Sequence, residues 1–390
     1  MPPEPTESTG RTEPAVPGHV PVLRREVVDL LAPPLLGSTA GPPAVAVDLT
    51  VGLAGHLRAL LDATGEPPRA GGRPPVSEWT ALQRWDCSTP VVAVGIDRDA
   101  EALGVAARAL EGWGDAVRLV HATADRLPEV LSALGLAGAD AVLADLGVSS
   151  LQLDADRRGF SYARDVGLDM RMDATAELDA ATVVDTYTVE ELTRVLRAYG
   201  EERHAARIAR RIVEARAAAP LRTTRQLADL VARTYPRGVT TGGHPAKRTF
   251  QALRIEVNAE LTGLAATMPA ALDALRPGGR LVVLAYHSLE DRIVKQSLAA
   301  AARADVPDDL PFVPEGHGPR VRLLTRGAAR PGPDELTANP RAASARLRAA
   351  ERLGPSGSTP SGSTPSGPAP SGRAHAPRTT APRPVTGVAA

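Results

Sequence analysis

The stretch Asp145-Leu-Gly-Val-Ser-Ser150 decides the fold class, because it directly follows the apolar run Asp140-Ala-Val-Leu-Ala144. It places an acid where a buried strand gives way to a loop. Two earlier segments are built in the same way: Ala44-Val-Ala-Val-Asp48 precedes a glycine-bearing loop, and Val91-Val-Ala-Val-Gly-Ile-Asp97 precedes a helical pattern. Strands of this kind that alternate with helices form a parallel sheet, and polar ligands bind at its carboxyl edge. The sequence therefore predicts an enzyme of the α/β class.

The alternation of short apolar strands with helical runs is regular over the first half of the chain, and one further strand follows much later. With right-handed crossovers, this pattern predicts a doubly wound, Rossmann-like sheet. The predicted strands are 44–48, 91–97, 117–121, 140–145 and 276–286, and the predicted helices lie near 55–63, 99–111 and 126–134.

Between the fourth and fifth strands, residues 151–261 show helical periodicity without a convincing strand, which predicts an inserted all-helical domain. From Arg194 to Arg254 this domain carries thirteen arginines and one lysine against four acids, an excess of ten positive charges in a chain of net charge zero. Such a concentration of charge favours binding to a nucleic-acid backbone. The alternative is an arginine-rich helix face that is only solvated.

Both ends of the chain have low-complexity sequence. Residues 1–18 are rich in Pro, Thr, Glu and Gly and predict a disordered leader, and residues 354–390 repeat Pro-Ser-Gly-Ser-Thr and predict a disordered tail. A similar stretch at 66–75 predicts a surface loop. The catalytic core is therefore expected in two parts, 19–150 and 262–353, on either side of the helical domain.

The lone cysteine, Cys87, cannot form an intramolecular disulfide and does not support a zinc cluster, so we expect a reducing compartment and no metal site. The N-terminus lacks a basic-then-apolar signal, and no apolar run approaches the roughly 20 residues of a membrane helix. These features predict a cytoplasmic protein without a membrane partner. The sequence leaves monomer and homodimer equally open.

The first strand-to-helix turn, Asp48-Leu-Thr-Val-Gly-Leu-Ala-Gly-His56, contains Gly52 and Gly55, which let the backbone approach a ligand. It lacks the full G-x-G-x-x-G pattern, so it does not support a dinucleotide, and an ordinary tight turn is the alternative. Asp97 ends the second strand where a ribose-binding acid is expected, which favours an adenosine moiety. The alternative for Asp97 is an N-cap of the next helix.

Several longer motifs are specific enough to indicate a family. They run from residue 19 to residue 353 and fall on both parts of the core and on the helical domain. In chain order they are His19-Val-Pro-Val-Leu23, Asp145-Leu-Gly-Val-Ser-Ser-Leu-Gln-Leu-Asp154, Arg158-Gly-Phe-Ser161, Leu168-Asp-Met-Arg-Met-Asp173, Tyr199-Gly-Glu-Glu-Arg203, Arg248-Thr-Phe-Gln-Ala-Leu-Arg-Ile-Glu-Val-Asn258, Tyr286-His-Ser-Leu-Glu-Asp-Arg-Ile-Val-Lys295 and Asn339-Pro-Arg341.

Together these motifs resemble the ribosomal RNA small subunit methyltransferase H family, which methylates cytosine N4 in 16S rRNA. The resemblance implies an S-adenosylmethionine-dependent methyltransferase sheet, beside which the charge of the inserted helical domain predicts RNA binding. It also implies that the substrate is a decoding-region cytidine within the small ribosomal subunit, and that S-adenosyl-L-methionine is the cofactor.

The resemblance also implies which residues contact the methyl donor. At three positions this chain departs from the family pattern: Ala54 replaces a glycine, Leu53 replaces a polar residue, and Ala124 stands where an aromatic is expected. A different side chain, or Arg126, would then have to cover the adenine. The implied cofactor-binding residues are Ala54, Gly55, His56, Asp97, Ala124, Asp145 and Gln152.

The difficult step in such a reaction is to make the cytosine amine nucleophilic, because its lone pair is delocalised into the ring. An acceptor that holds one N4 hydrogen would direct the lone pair at the methyl group. Asp145, with Ser149 and Ser150 in the following loop, is the candidate acceptor, and a pure cofactor contact is the alternative. His287 and Ser288 follow the late strand and are expected to line the base pocket, with core or capping roles as the alternative.

A hydrolase is not supported, since adjacent strand residues such as His287 and Ser288 point to opposite faces. Two other classes stay open. One is a methyltransferase that acts on another RNA or protein amine, which would share the sheet and differ in its pocket. The other is a non-catalytic RNA-binding assembly factor that retains the fold.

Overall fold

The fold is described from a computed structural model. The described residues are 21–36, 42–64, 91–149, 152–153, 158–235, 243–307, 314 and 316–354. The predicted leader and tail, the loop at 66–75, Cys87 and Ser150 lie outside these residues, apart from Gly354.

The elements alternate as predicted up to residue 145, continue as helices, and then return to strands. The helices are α1 (Arg24–Leu36), α2 (Gly55–Thr64), α3 (Ala100–Ala109), α4 (Leu127–Ala133), α5 (Ala180–Thr186), α6 (Val189–Gly200), α7 (Ala205–Ala218), α8 (Thr224–Thr234), α9 (Lys247–Asn258), α10 (Glu260–Ala274), α11 (Ser288–Ala301) and α12 (Pro333–Ala338). The strands are β1 (Ala44–Asp48), β2 (Val91–Asp97), β3 (Val117–His121), β4 (Ala139–Asp145), β5 (Leu275–Ala285), β6 (Val321–Leu323) and β7 (Arg346–Arg352).

The strands form a seven-stranded sheet in the order β3-β2-β1-β4-β5-β7-β6. Strands β1 to β5 run parallel, and β7 runs antiparallel to both β5 and β6. From β1 the chain builds outward to β2 and β3, and it then returns to place β4 on the other side of β1. This reversal is a topological switch point, beside which ligands bind in doubly wound sheets. The predicted α/β fold with a doubly wound sheet is confirmed.

Both faces of the sheet are buried, which explains why its strands have nearly continuous apolar sequences. In β1 every residue is buried. Val45 and Val47 pack in a hydrophobic cluster that includes residues of α4, α10 and α11, whereas Ala44 and Ala46 pack with residues of α1 and α2 on the opposite face. The alternation of side chains along each strand thus connects two helical layers through one sheet.

Strands β6 and β7 and helix α1 are among the elements that were not predicted from the sequence. Strand β7 has the sequence Arg-Leu-Arg-Ala-Ala-Glu-Arg, and its apolar residues are buried between β5 and β6 although its charged residues obscure the pattern. Strand β6 has three residues, too few for a periodic signal. Helix α1 contains Pro33 and Pro34, residues that normally argue against a helix interior.

The helices between β4 and α10 have a hydrophobic cluster of their own. Leu192, Ile208, Leu227 and Leu253 of α6 to α9 are fully buried in it. Within the described part of 151–261, the backbone pairs in strand fashion at a single bridge, between residues 167 and 223. Helix α10 packs instead on the sheet, in the same cluster as β4 and β5. The exact domain boundaries stay predictions. Among the described residues, no helix has the length and apolar character needed to cross a membrane.

Candidate active site

A cleft of about 910 Å³ opens at the carboxyl edge of the sheet, beside the switch point between β1 and β4. One wall includes the loops that follow β1 to β5. The opposite wall includes one side of helix α9, which presents Lys247, Phe250, Gln251 and Arg254. The cleft therefore lies where the sheet and the inserted helices meet.

Asp145 ends β4 at the floor of this cleft, where it contacts Thr50, Tyr286 and His56. Its backbone N–H donates to the Thr50 hydroxyl over 2.7 Å, and the Tyr286 hydroxyl donates to its Oδ1 over 2.7 Å. Nδ1 of His56 lies 3.4 Å from its Oδ2. Burial, followed by the charge of Asp145, raises the pKa of Tyr286 far above its usual value, so the phenol stays a donor. The Asp145 side chain is still 25% exposed, so the carboxylate is fixed but accessible.

His56 lies in the first turn of α2 and is almost fully buried. Its Nε2 lies 2.8 Å from the carbonyl oxygen of Val22, which can only accept, so this nitrogen carries the hydrogen and Nδ1 faces Asp145. A Cβ at the neighbouring Gly55 would come within 2.6 Å of the Pro21 ring. The segment at Pro21 and Val22 therefore packs on the first loop and orients its histidine.

Asp48 lies behind the cleft at the end of β1, where only 2% of its surface is exposed. Burial is the main reason that its pKa rises from the ordinary 3.8 to about 7. The nearby His56 and the backbone N–H of Thr50, which donates over 3.1 Å, offset part of this effect. Asp48 therefore acts as a buried support under the loop that carries His56.

Asp97 ends β2 at the edge of the cleft, and two backbone N–H groups hold its carboxylate. Gly52 donates to Oδ2 and Asp99 donates to Oδ1, each over 2.9 Å. Burial raises the pKa of Asp97, and these two hydrogen bonds offset part of the increase. The N-cap of α3 is Asp99, whose side chain accepts from the N–H of Glu101, so capping does not explain Asp97.

The loop from Gly52 to the start of α2 contains two residues with left-handed backbone. Gly52 has φ +50°, and Ala54 has φ +64° while its side chain is completely buried. An L-residue with a side chain pays roughly 1–2 kcal/mol in this conformation, whereas glycine adopts it freely. This cost is the physical reason to expect glycine at the position of Ala54.

Gln152 is buried and contacts the protein through both ends of its amide. Its Nε2 donates to Asp99 over 3.0 Å, and its Oε1 accepts from the N–H of Ser149 over 3.1 Å. Asp99 also accepts from Arg158 over 2.9 Å, which fastens the segment after the Gln152 loop to the start of α3. These bonds shape the cleft wall, and the predicted contact of Gln152 with the methyl donor stays a prediction.

Ala124 lines the cleft beyond β3 and does not provide the aromatic wall that the family pattern leads one to expect. Arg126 is absent from the described lining residues, so it does not replace the missing ring. Leu264 and Thr267 of α10 line the cleft, and Ala124 packs against the cluster that contains Leu264. An aliphatic helix face therefore covers this part of the wall.

His287 and Ser288 both line the cleft, but they do not form a nucleophile and base pair. His287 is the N-cap of α11, where its side chain accepts from the N–H of Glu290, and the Ser288 hydroxyl donates to Glu201 over 3.0 Å. The strand argument against a hydrolase was wrong in detail, because β5 ends at Ala285 and these residues begin a helix. A hydrolase is still not supported, because the side chains of His287 and Ser288 bind different partners.

Glu290 is buried below these residues and accepts from the backbone N–H groups of Tyr286 and His287 over 2.8 and 3.2 Å. Burial alone would raise its pKa, but the hydrogen bond and charge of His287, together with Arg254, hold the pKa below its usual value. Glu260, a second acid nearby, accepts from Nε and Nη2 of Arg254, each over 2.8 Å. Arg254 and His287 thus both face acids of this group.

Sequence reasoning missed several residues that shape the site. Tyr286 was noted only as part of a motif, although a phenol directly after a buried strand is a detectable signal. Thr50 lies within the quoted first loop. Ser149 lies on the cleft, whereas Ser150 is outside the described residues. The residues brought together at the cleft are Gly55, His56, Asp97, Ala124, Asp145, Ser149, Gln152, His287 and Ser288.

Comparisons with known proteins agree with this architecture. The MraW methylase family matches residues 86–353 of the chain. The ribosomal RNA small subunit methyltransferase H of Nocardioides sp. is 52% identical over 337 residues, which are 86% of this chain and 97% of the relative. The protein of the same name from Frankia alni is 53% identical over 87% of this chain and 96% of its own length. That from Saccharopolyspora erythraea is 51% identical over 86% and 93%, respectively.

Proposed function

The chain belongs to the MraW methylase family, and from this premise we propose that it methylates N4 of a decoding-region cytidine in 16S rRNA. S-adenosyl-L-methionine is the methyl donor in this proposal. The small ribosomal subunit as the substrate assembly and the cytoplasm as the location belong to the proposal too. The observation that carries it is Asp145, a fixed acceptor at the switch point that faces a cleft walled by the basic inserted helices.

The residues at the edge of the sheet fit S-adenosylmethionine. Asp97 is held by two N–H groups, and a carboxylate has about four lone-pair positions, so it can still accept ribose hydroxyls. Gly52, which has left-handed backbone, lines the cleft, and Gly55 begins α2, where free N–H groups favour a carboxylate. When bound, S-adenosylmethionine supplies an electrophilic methyl group on a sulfonium.

Asp145 has the geometry of an acceptor for one hydrogen of the target amine. The Tyr286 hydroxyl donates to its Oδ1 and His56 faces its Oδ2, and a carboxylate offers about four lone-pair positions in all. A carboxylate held in this way does not have to reorganise when positive charge develops on the attacking nitrogen, which is the basis of electrostatic preorganisation. We assign Asp145 as the acceptor, with Tyr286 and His56 as positioning residues.

Aromatic side chains in the lining of the cleft provide a surface for the extruded base. Phe160, Tyr162 and Phe250 line the cleft, and the rings of Tyr162 and Phe250 meet edge to face at 5.7 Å. Tyr162 also stacks on His244 at 4.7 Å. Enzymes that modify an exocyclic amine take the base out of its stack and hold it against apolar or aromatic groups. These side chains are suited to that role.

Mass spectrometry of small-subunit rRNA from cells that lack the protein tests the assignment. We expect the loss of one methyl group on a decoding-region cytidine, restored by the wild-type chain and restored little by Asp145→Asn. Asn keeps the size of the side chain but removes the negative charge. A fully methylated cytidine in the absence of the protein contradicts the proposal, as does a missing mark on a ring carbon or ribose.

A further inference from the structure

The cationic side chains that line the cleft differ in whether the protein binds them. Arg98 donates to the carbonyl of Asn258 over 2.7 Å, Arg254 pairs with Glu260, and Arg346 pairs with Asp291 at 3.2 Å. Arg341 also has a partner in the protein. Among the described lining residues, the Lys247 ammonium is the cation to which no hydrogen bond or ion pair is made.

The position of Lys247 does not benefit the stability of the helix. It is the exposed first residue of α9, where Ala246 provides no side-chain cap and the first turn contains no acid. Arg248 follows it directly. A cation at a helix N-terminus opposes the helix dipole and so does not stabilise the helix. An unpaired cation retained there is better explained by a ligand than by folding.

The surroundings of Lys247 indicate which ligand. Lys247, Phe250, Gln251 and Arg254 occupy one side of α9 at helical spacing, and all four line the cleft. Phe250 contacts Tyr162, so the ammonium lies on the wall that carries the aromatic groups. The loop with Gly52 and the start of α2 suit the carboxylate of the methyl donor, and both lie on the sheet side of the cleft. Lys247 belongs to the base side of the cleft.

We propose that Lys247 binds a backbone phosphate of the RNA next to the nucleotide that enters the cleft, an inference that rests on the proposed function. A lysine ammonium is a compact point charge on a flexible stem and binds phosphate without a fixed orientation. This suits a strand whose backbone must distort as one base leaves the stack. Lys247 is thus a substrate-positioning residue, and the other anion available in the site is the carboxylate of the methyl donor.

Lys247→Gln tests the proposal, and Lys295→Gln is the matched control because these are the only two lysines of the chain. Lys295 is exposed on α11 and is not among the residues that line the cleft. We expect Lys247→Gln to weaken binding of a decoding-region rRNA fragment and to reduce its logarithmic salt slope by about 0.7–0.9, the loss of one phosphate contact. For methylation, KM for small subunits should rise while kcat at saturation stays close to wild type.

Three measurements separate the outcomes. Calorimetry with S-adenosylmethionine alone should give the same affinity for wild type and Lys247→Gln, and a weakened affinity would show that Lys247 binds the donor carboxylate and overturn the proposal. A salt slope equal to that of Lys295→Gln would overturn it as well. RNA binding is measured without turnover. A wild-type chain that binds RNA but methylates no cytidine would therefore contradict the proposed function. The salt slope of RNA binding by Lys247→Gln would still decide whether Lys247 contacts a phosphate.

Discussion

At the scale of single residues, the acceptor Asp145 depends on neighbours from three distant parts of the chain. Thr50 comes from the loop after β1, His56 from α2, and Tyr286 from the end of β5. The Tyr286 hydroxyl donates a hydrogen bond of 2.7 Å to the carboxylate itself. The orientation of Asp145 is therefore more sensitive to the phenol than to the other two contacts.

Tyr286→Phe should lower kcat roughly tenfold or more, since a hydrogen bond to a charged group contributes about 1.5–3 kcal/mol. The ring would remain, so the affinity for S-adenosylmethionine should change little. Tyr187→Phe is the matched control, because the Tyr187 hydroxyl also donates to a carboxylate, that of Glu256, over 3.0 Å but within the inserted helices. Single-turnover methylation of small subunits measures the effect, and equal rates for both variants would remove Tyr286 from the positioning role.

The raised pKa of Asp48 predicts a pH dependence of stability. Burial raises this pKa from 3.8 to about 7, so between these values the folded chain keeps a proton that the unfolded chain has released. The free energy of unfolding should therefore fall as the pH rises from about 4 to about 7, by at most about 1.4 kcal/mol per pH unit from this group. Below pH 4 the contribution is fully present.

Asp48→Asn isolates this effect, because the amide oxygen can still accept from the N–H of Thr50. Urea unfolding at a series of pH values should show the wild-type free energy falling relative to that of Asp48→Asn between pH 4 and pH 7. Parallel curves for the two proteins would mean that Asp48 titrates near its ordinary pKa.

At the scale of elements, helices α6 to α9 combine a common hydrophobic cluster with a basic exterior. Ile208 and Ile212 of α7 are fully buried, whereas Arg207, Arg210 and Arg211 of the same helix are exposed. Arg211 pairs with Glu214 at 3.0 Å, an exposed contact of little energetic value. The helical period therefore separates a face that folds the insertion from a face that is available to a phosphate backbone.

Replacing Arg207, Arg210 and Arg211 together by Gln should weaken RNA binding and reduce the logarithmic salt slope by about 0.7–0.9 for each lost phosphate contact. The exposed residues Arg24, Arg25 and Arg58 of α1 and α2 offer a matched triple replacement. Filter binding of a decoding-region rRNA fragment over a range of salt concentrations would measure both. If the two triple variants have the same slope, the arginines of α7 form a solvated surface only.

At the scale of the whole molecule, the cleft exists because the inserted helices close over the carboxyl edge of the sheet. The same carboxyl edge supplies Asp97 and Asp145, and α9 supplies the opposite wall. A ligand that binds this edge adds its binding free energy to the stability of the folded chain. The methyl donor should therefore stabilise the protein before any RNA is present.

S-adenosylmethionine at 100 times its Kd should stabilise the wild-type chain by about 2.7 kcal/mol, visible as a rise in Tm. Asp97→Ala should lose most of this rise at the same concentration, because a charge-assisted hydrogen bond of about 1.5–3 kcal/mol is removed. Asp62→Ala, at an exposed acid on α2, provides the comparison. An undiminished shift in a folded Asp97→Ala protein would exclude Asp97 from the donor site.

The sequence by itself determined the parallel half of the sheet and the acids at its edge. Strands β1 to β4 are buried on both faces, so their apolar runs and terminal acids can be recognised from the local sequence. The predicted bounds of these strands differ from the observed ones by at most one residue. Asp97 and Asp145 followed from this pattern because the carboxyl ends of parallel strands meet at one edge. The methyl donor, the RNA substrate and the roles of Ala54 and Gln152 came from the family motifs instead.

Only the tertiary structure decided what surrounds these acids. Strand β7 has charged residues within it and is stabilised by pairing with β5 and β6, and such pairing has no local signature. Likewise, the contacts of Asp145 with Tyr286 and His56 join residues 141 and 89 positions apart. In the sequence, Lys247 is one of many charges in a basic stretch. The structure distinguishes it, because the other cations that line the cleft have partners in the protein. Hydrophobic periodicity records burial along the chain, whereas the pairing of polar groups depends on contacts that only the folded chain creates.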